Sequence, residues 1–222
     1  MNWKQFAYLL AAVAVAFVGW HWYFGGLGVQ ALARQGEVQS ILVIGDSLTS
    51  GVGNDNVSRY WPEILADRLG AQEVVTLAHQ GDTAASAWGR WETHARNQRW
   101  KAGDADWQPD LVVVCLGGND VLRARGRSAL EADLNRWAEA LAPLDAPVLF
   151  VAVPGGVLGP MDIYRGVWED VAQRHGMHEM DSRTLRRVFT SNNLTVDRIH
   201  MNQDGQAFFA ERVYRRVTGR GR

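Results

Sequence analysis

The chain has 222 residues, 47% hydrophobic and 21% charged, enough apolar material for one globular domain with a sizeable core. A formal net charge of −1 offers no basic face for nucleic acid, and a single cysteine, Cys115, excludes an intrachain disulfide. Ten tryptophans are many for this length; packing accounts for most of them, with a wall for an apolar substrate as the sharper alternative.

The N-terminus differs in kind from the rest. Lys4 precedes Phe6 to Phe24, which is apolar apart from His21 and just long enough to cross a hydrocarbon layer of roughly 30 Å. Trp20, Trp22, Tyr23 and Phe24 would form an aromatic belt at the far interface. Residues 1–24 are therefore expected to be a single-pass signal anchor of the bacterial inner membrane, 25–37 a linker, and 38–222 a domain in the periplasm. Cleavage near Ala31-Leu32-Ala33, releasing the domain into the periplasm, is the alternative.

Ile41 to Ile44 is an unbroken apolar run that stops at Gly45-Asp46-Ser47-Leu48, which predicts a buried strand opening into a tight turn. A helix follows, with Ser58 as its expected cap, Pro62 in its first turn, Gly70 just past its end, and Trp61, Ile64, Leu65 and Leu69 on one face. Glu73 to Ala78 is the second strand and ends toward Gly81-Asp82-Thr83. Ala84 to about residue 97 is helical, with Trp88, Trp91 and Ala95 close to one face.

Leu111 to Leu116 is apolar throughout, as a strand covered on both sides should be, and ends in Gly117-Gly118-Asn119-Asp120. Cys115 inside it reads as a packed, inert thiol. Ser128 and Glu131 match a capping box ahead of a helix that carries Leu130, Leu134, Trp137 and Leu141 and stops at Pro143. Pro147 to Val153 is the fourth strand, followed by a loop from Pro154 to Pro160. A helix through Tyr164, Trp168 and Val171 stops near Gly176, and Met177 to Met180 is a short fifth strand. The last helix begins near Gln203 and buries Ala210, Val213, Tyr214 and Val217. This alternation argues for a parallel sheet between two helical layers, with the first three strands ending in glycine-containing turns on one rim.

Ser47 on that rim is a candidate nucleophile, and it needs a base. Of the six histidines, His200 stands apart because Asp197 precedes it by three residues in a loop. That spacing can set a carboxylate against one imidazole nitrogen while the other faces outward, fixing the tautomer and stabilising the imidazolium. His175 and His178 flank a turn without acidic or cysteine companions, which argues against a metal site there. Gly81 can offer a backbone N–H at close approach, Asn119 a side-chain amide, and Ser47 its own N–H.

Gly45-Asp46-Ser47-Leu48, Gly81, Gly118-Asn119-Asp120 and Asp197-x-x-His200, in that order, resemble the four blocks of the SGNH or GDSL hydrolases. The likeness runs from about Ile41 to Val217. It is greatest to the periplasmic thioesterase I, lysophospholipase and arylesterase group, on Trp61-Pro62, Gly81-Asp82-Thr83, Gln108-Pro109 and Leu116 to Asp120. The resemblance implies a flavodoxin-like three-layer α/β/α sandwich with a parallel sheet of about five strands. It also implies Ser47 as nucleophile, His200 as base, Asp197 as its orienter, and Ser47, Gly81 and Asn119 as the oxyanion hole.

By the same analogy Val157 and Leu158 would line the acyl chain. The implied activity is hydrolysis of carboxylic esters or thioesters of small acyl or lipid substrates, with no metal or organic cofactor. Thr76 and Met201 depart from the group's pattern at positions that make no bonds to substrate. A carbohydrate O-acetyl esterase or an acyltransferase acting on cell-envelope glycans is the alternative with the same chemistry. A non-catalytic binding relative is the alternative without it.

Overall fold

The computed structural model describes residues 31–51, 58–96, 108–154 and 163–220. Five strands form one sheet among them, β1 (Ser40–Gly45), β2 (Glu73–Ala78), β3 (Leu111–Cys115), β4 (Val148–Val151) and β5 (His178–Met180), in the order β2-β1-β3-β4-β5. Every pairing is parallel, with Gly45 opposite Ala78 on one side and Cys115 on the other. The order reverses at β1, and it is beside such a reversal that open α/β sheets leave a crevice at their carboxyl edge.

Helices α1 (Ser47–Ser50), α2 (Trp61–Leu69), α3 (Ala84–Arg96), α4 (Gly118–Leu122), α5 (Arg127–Leu141), α6 (Val167–Arg174), α7 (Arg183–Thr190) and α8 (Gln203–Thr218) complete the order. One layer packs α2 and α7 against α8, the other packs α3 and α6 against α5. Trp61 meets Phe209 edge-on at 5.1 Å in the first layer, and Trp137 takes Trp88 and Trp91 at 5.3 and 5.4 Å in the second. Each such pair adds about 0.5–1.5 kcal/mol to the apolar burial. The buried tryptophans are thus core. Ile41 to Ile44 and Leu111 to Leu116 are almost wholly covered, which explains why neither run alternates. Cys115 lies among them, and burial drives its thiol far above the ordinary range, leaving it inert.

Several local expectations need correction. Helix α2 is capped at Tyr60, whose N–H donates to Glu63, while Ser58 turns away to the side chain of Gln203. Helix α5 starts after Gly126 without a side-chain cap, so Ser128 and Glu131 lie inside its first turns. Tyr164 precedes α6, which starts only at Val167. Helix α7 was not expected at all; the segment after Met180 carries only Leu185, Val188 and Phe189 as buried residues among its arginines.

Residues 32–36 are fastened to the domain. Leu32 and Ala33 donate to the Val217 carbonyl at the end of α8, at 2.7 and 3.2 Å, and Gly36 donates to Leu69 at the end of α2. Among the described residues no helix is long and apolar enough to cross a membrane; Phe6 to Phe24 lies outside them.

Candidate active site

Strand β1 ends at Gly45 because nothing larger fits. A Cβ there would lie 2.1 Å from Thr49 Oγ1, one turn into α1. Asp46 caps α1 by accepting the Leu48 N–H at 3.0 Å, and Ser47 becomes the first helical residue, standing at the rim. Burial pushes the Asp46 carboxyl up to about 7 against the pull of the Leu48 N–H and of His200, with Asp120 and Asp82 adding to the rise.

The partner of Ser47 comes from the other end of the chain. Thr195 and Met201 form an antiparallel bridge, and the Val196 N–H donates to the His200 carbonyl, so residues 196–200 make a closed loop. Inside it Asp197 Oδ1 accepts the N–H groups of Ile199 and His200 at 3.0 and 2.7 Å, and Oδ2 meets His200 Nδ1 at 2.6 Å. A carboxylate can only accept, so Nδ1 carries the hydrogen and Nε2 is left as acceptor. Nε2 lies 3.1 Å from Ser47 Oγ. Partial burial pushes the Asp197 carboxyl up, but the bonds from the His200 ring and from the His200 and Ile199 N–H groups outweigh it, holding the acid ionised below its usual range. Asn202 then caps α8 by accepting from Gly205 N at 2.9 Å, which fixes where the loop ends.

Gly81 stands in the turn after β2 at a φ of +77°, a conformation that favours glycine, and its carbonyl accepts from Arg123 at 2.9 Å. Asn119 opens α4 after β3. Its Nδ2 donates to the Asp82 carbonyl at 2.9 Å and to Asp46 Oδ2 at 3.2 Å. Both hydrogens of the expected oxyanion donor therefore have acceptors in the resting site, the second of them longer. Asp120 reaches back to the next turn: Ala84 N, at the start of α3, donates to it at 2.9 Å and Arg125 at 2.7 Å. Burial raises its carboxyl despite both donors. Asp82 is held by Ser86 Oγ at 2.8 Å and by the Arg90 guanidinium.

The structure thus brings Ser47, Asp197 and His200 into one line and ties Asn119 to the turns that carry Gly81 and Ser47. Val157 and Leu158 lie outside the described residues. His79 contacts Gln80, His175 contacts Asn135, and among the described residues no cluster of three or more His, Cys, Asp or Glu could hold a metal ion. What the sequence reading missed is the stitching by Asp46, Asp82 and Asp120. The signal was available: an acid stands directly beside the candidate residue in each of the first three blocks.

The first of these comparisons with known proteins is to the esterase TesA of Pseudomonas aeruginosa, 32% identical over 133 residues, which are 58% of this chain and 61% of that relative. The matched stretch is less than two thirds of the relative's length. The thioesterase 1/protease 1/lysophospholipase L1 of Escherichia coli is 24% identical over 196 residues, covering 86% of this chain and 89% of the relative. The crystal structure of TesA superposes with a TM-score of 0.66 at 28% identity, over 81% of this chain and 98% of that one. The sequence model of the GDSL-like Lipase/Acylhydrolase family matches residues 43–208, a span that takes in every block from Ser47 to His200, and on that match the chain belongs to this family.

Proposed function

We propose that the chain is a serine hydrolase that cleaves carboxylic esters or thioesters of acyl substrates through an acyl-enzyme. One observation carries the reading: the unbroken line from Asp197 Oδ2 through the His200 ring to Ser47 Oγ, at 2.6 and 3.1 Å. Ser47 Oγ attacks the acyl carbonyl as its proton passes to His200 Nε2, and Asp197 stabilises the imidazolium. The negative oxygen that forms is met by the Ser47 and Gly81 N–H groups and by Asn119. The N–H that Asn119 gives to Asp46, the longer of its two bonds, is the one an oxyanion would take over. Collapse expels the alcohol or thiol with the proton from His200, and water, activated by the same ring, frees Ser47.

Lys4 before an apolar run of spanning length supports a position of this domain at the outer face of the inner membrane. A fluorophosphonate probe tests the chemistry: labelling of the wild type that disappears in Ser47→Ala supports it, and a folded wild type that takes no label refutes it. An acyl-chain-length series on the same protein sets the substrate class, since turnover confined to acetyl esters would move it to glycans. Recovery in the membrane fraction, lost when residues 1–30 are deleted, tests the anchor.

A further inference from the structure

The Gly81 N–H belongs to the planar peptide group between Gln80 and Gly81, so its aim depends on what holds that group. Asp82 N–H donates to the His79 carbonyl at 3.2 Å, which closes residues 79–82 into a turn, and Gly81 at the third position has a φ of +77°. Those two features make it a type II turn. The type I alternative differs mainly by a flip of the middle peptide, roughly 180°, which would carry the Gly81 N–H to the opposite side.

Every carbonyl of this turn accepts a hydrogen bond. Beyond the bond to His79, the Gln80 carbonyl, on the middle peptide itself, lies 2.9 Å from His79 Nδ1. A carbonyl only accepts, so this ring nitrogen carries the hydrogen and donates it. The Gly81 carbonyl accepts from Arg123 Nη2 at 2.9 Å, and the Asp82 carbonyl from Asn119 Nδ2 at 2.9 Å. Asn119 and Arg123 stand four residues apart, so one face of α4 and its C-cap grips two successive carbonyls. The Gly81 N–H, by contrast, donates to nothing among the described residues.

We propose that His79 and Arg123 are positioning residues for the oxyanion hole: by holding the carbonyls on either side of the Gly81 N–H they keep it aimed at the reacting oxygen. A flip of the middle peptide would break the bond from His79. The bond from Arg123 fixes the next peptide, against which the flip would have to turn. The proposal rests on the hydrolase reading, in which the Gly81 N–H is one of three donors, and neither side chain touches the substrate in it. Both side chains are exposed, so their bonds compete with water. Each is therefore worth a factor of about two to ten in rate, well short of the loss of a donor outright.

The test is steady-state hydrolysis of p-nitrophenyl butyrate by the full chain, alongside inhibition by butylboronic acid, whose boron takes Ser47 Oγ to form a tetrahedral anion. His79→Gln and Arg123→Ala should each lower kcat about two- to tenfold, with KM and melting temperature unchanged. The boronic acid should bind more weakly by the same factor, as a mimic of the transition state does. His79→Asn, whose amide N–H stands where Nδ1 does, and Arg123→Lys, which keeps a donor for the Gly81 carbonyl, should retain most of the wild-type rate. Wild-type kcat in both His79→Gln and Arg123→Ala, a loss that appears in KM alone, or no rescue by the conservative pair would overturn the proposal. A wild type that hydrolyses the ester and takes the fluorophosphonate label, matched by these variants, removes this inference alone. A folded wild type that does neither removes the hydrolase reading with it.

Discussion

At the carboxyl ends of β1, β2 and β3 three aspartates, Asp46, Asp82 and Asp120, are at most 3% exposed, and each is met by donors from its own or a neighbouring turn. Farther along the same rim, the Glu179 carboxylate on β5 is half-buried without a hydrogen bond among the described residues, and the Tyr164 hydroxyl ahead of α6 is buried without a partner. One half of the rim is stitched before any ligand arrives; the other leaves polar groups unpaired. Bond-making gains from donors and charges already in place, because no reorganisation is then needed in the transition state.

The largest effect should come from breaking the stitched half at its reacting atoms. Ser47→Ala, or His200→Ala, should lower kcat about 10⁴–10⁶-fold with the melting temperature unchanged. Asp197→Ala should cost less, about 10²–10⁴-fold, because its carboxylate is half-exposed and water can partly replace it. Asn119→Ala should lower kcat about 10²–10³-fold with little change in KM, as a donor that turns from Asp46 to the substrate oxygen only in the transition state requires.

A pH series compares the halves directly. In the folded chain the carboxyls of Asp46 and Glu179 are both pushed up to about 7, from ordinary values of 3.8 and 4.5. Between those limits the native state holds more protons than the unfolded one, so the stability they lend is full in acid and lost as pH rises through 7. Denaturant unfolding should show lower stability at pH 8 than at pH 5. Asp46→Asn should flatten that slope more than Glu179→Gln does, since Asp46 is the more deeply buried; the reverse order would erase the contrast. Smallest is Gly45→Ala, which should destabilise by about 1–3 kcal/mol through the crowding of Thr49. A neutral result would mean that the β1 turn is less tightly set than its neighbours imply.

How much of this was legible beforehand followed from what each feature depends on. Strand β2 was read with its observed limits because Gly70 and Gly81 bracket a short apolar run. The line from Ser47 to His200 was legible because each member sits in a short motif at the end of an element, so its place on the rim follows once the sheet is parallel. The cap at Tyr60 was not, because it depends on Glu63 reaching back and on Gln203 claiming Ser58 from 145 residues away. Helix α7 was hidden because three apolar residues among arginines make no stripe long enough to set a period. That both hydrogens of Asn119 have acceptors could not be seen either, since those acceptors come from turns 37 and 73 residues distant.

The fastening of Leu32 to the Val217 carbonyl has a mechanical corollary. Helix α8 starts beside His200 and runs about 24 Å before that point, at 1.5 Å for each of its 16 residues. The polypeptide therefore enters through the floor of the sandwich, and the nucleophile opens through its roof.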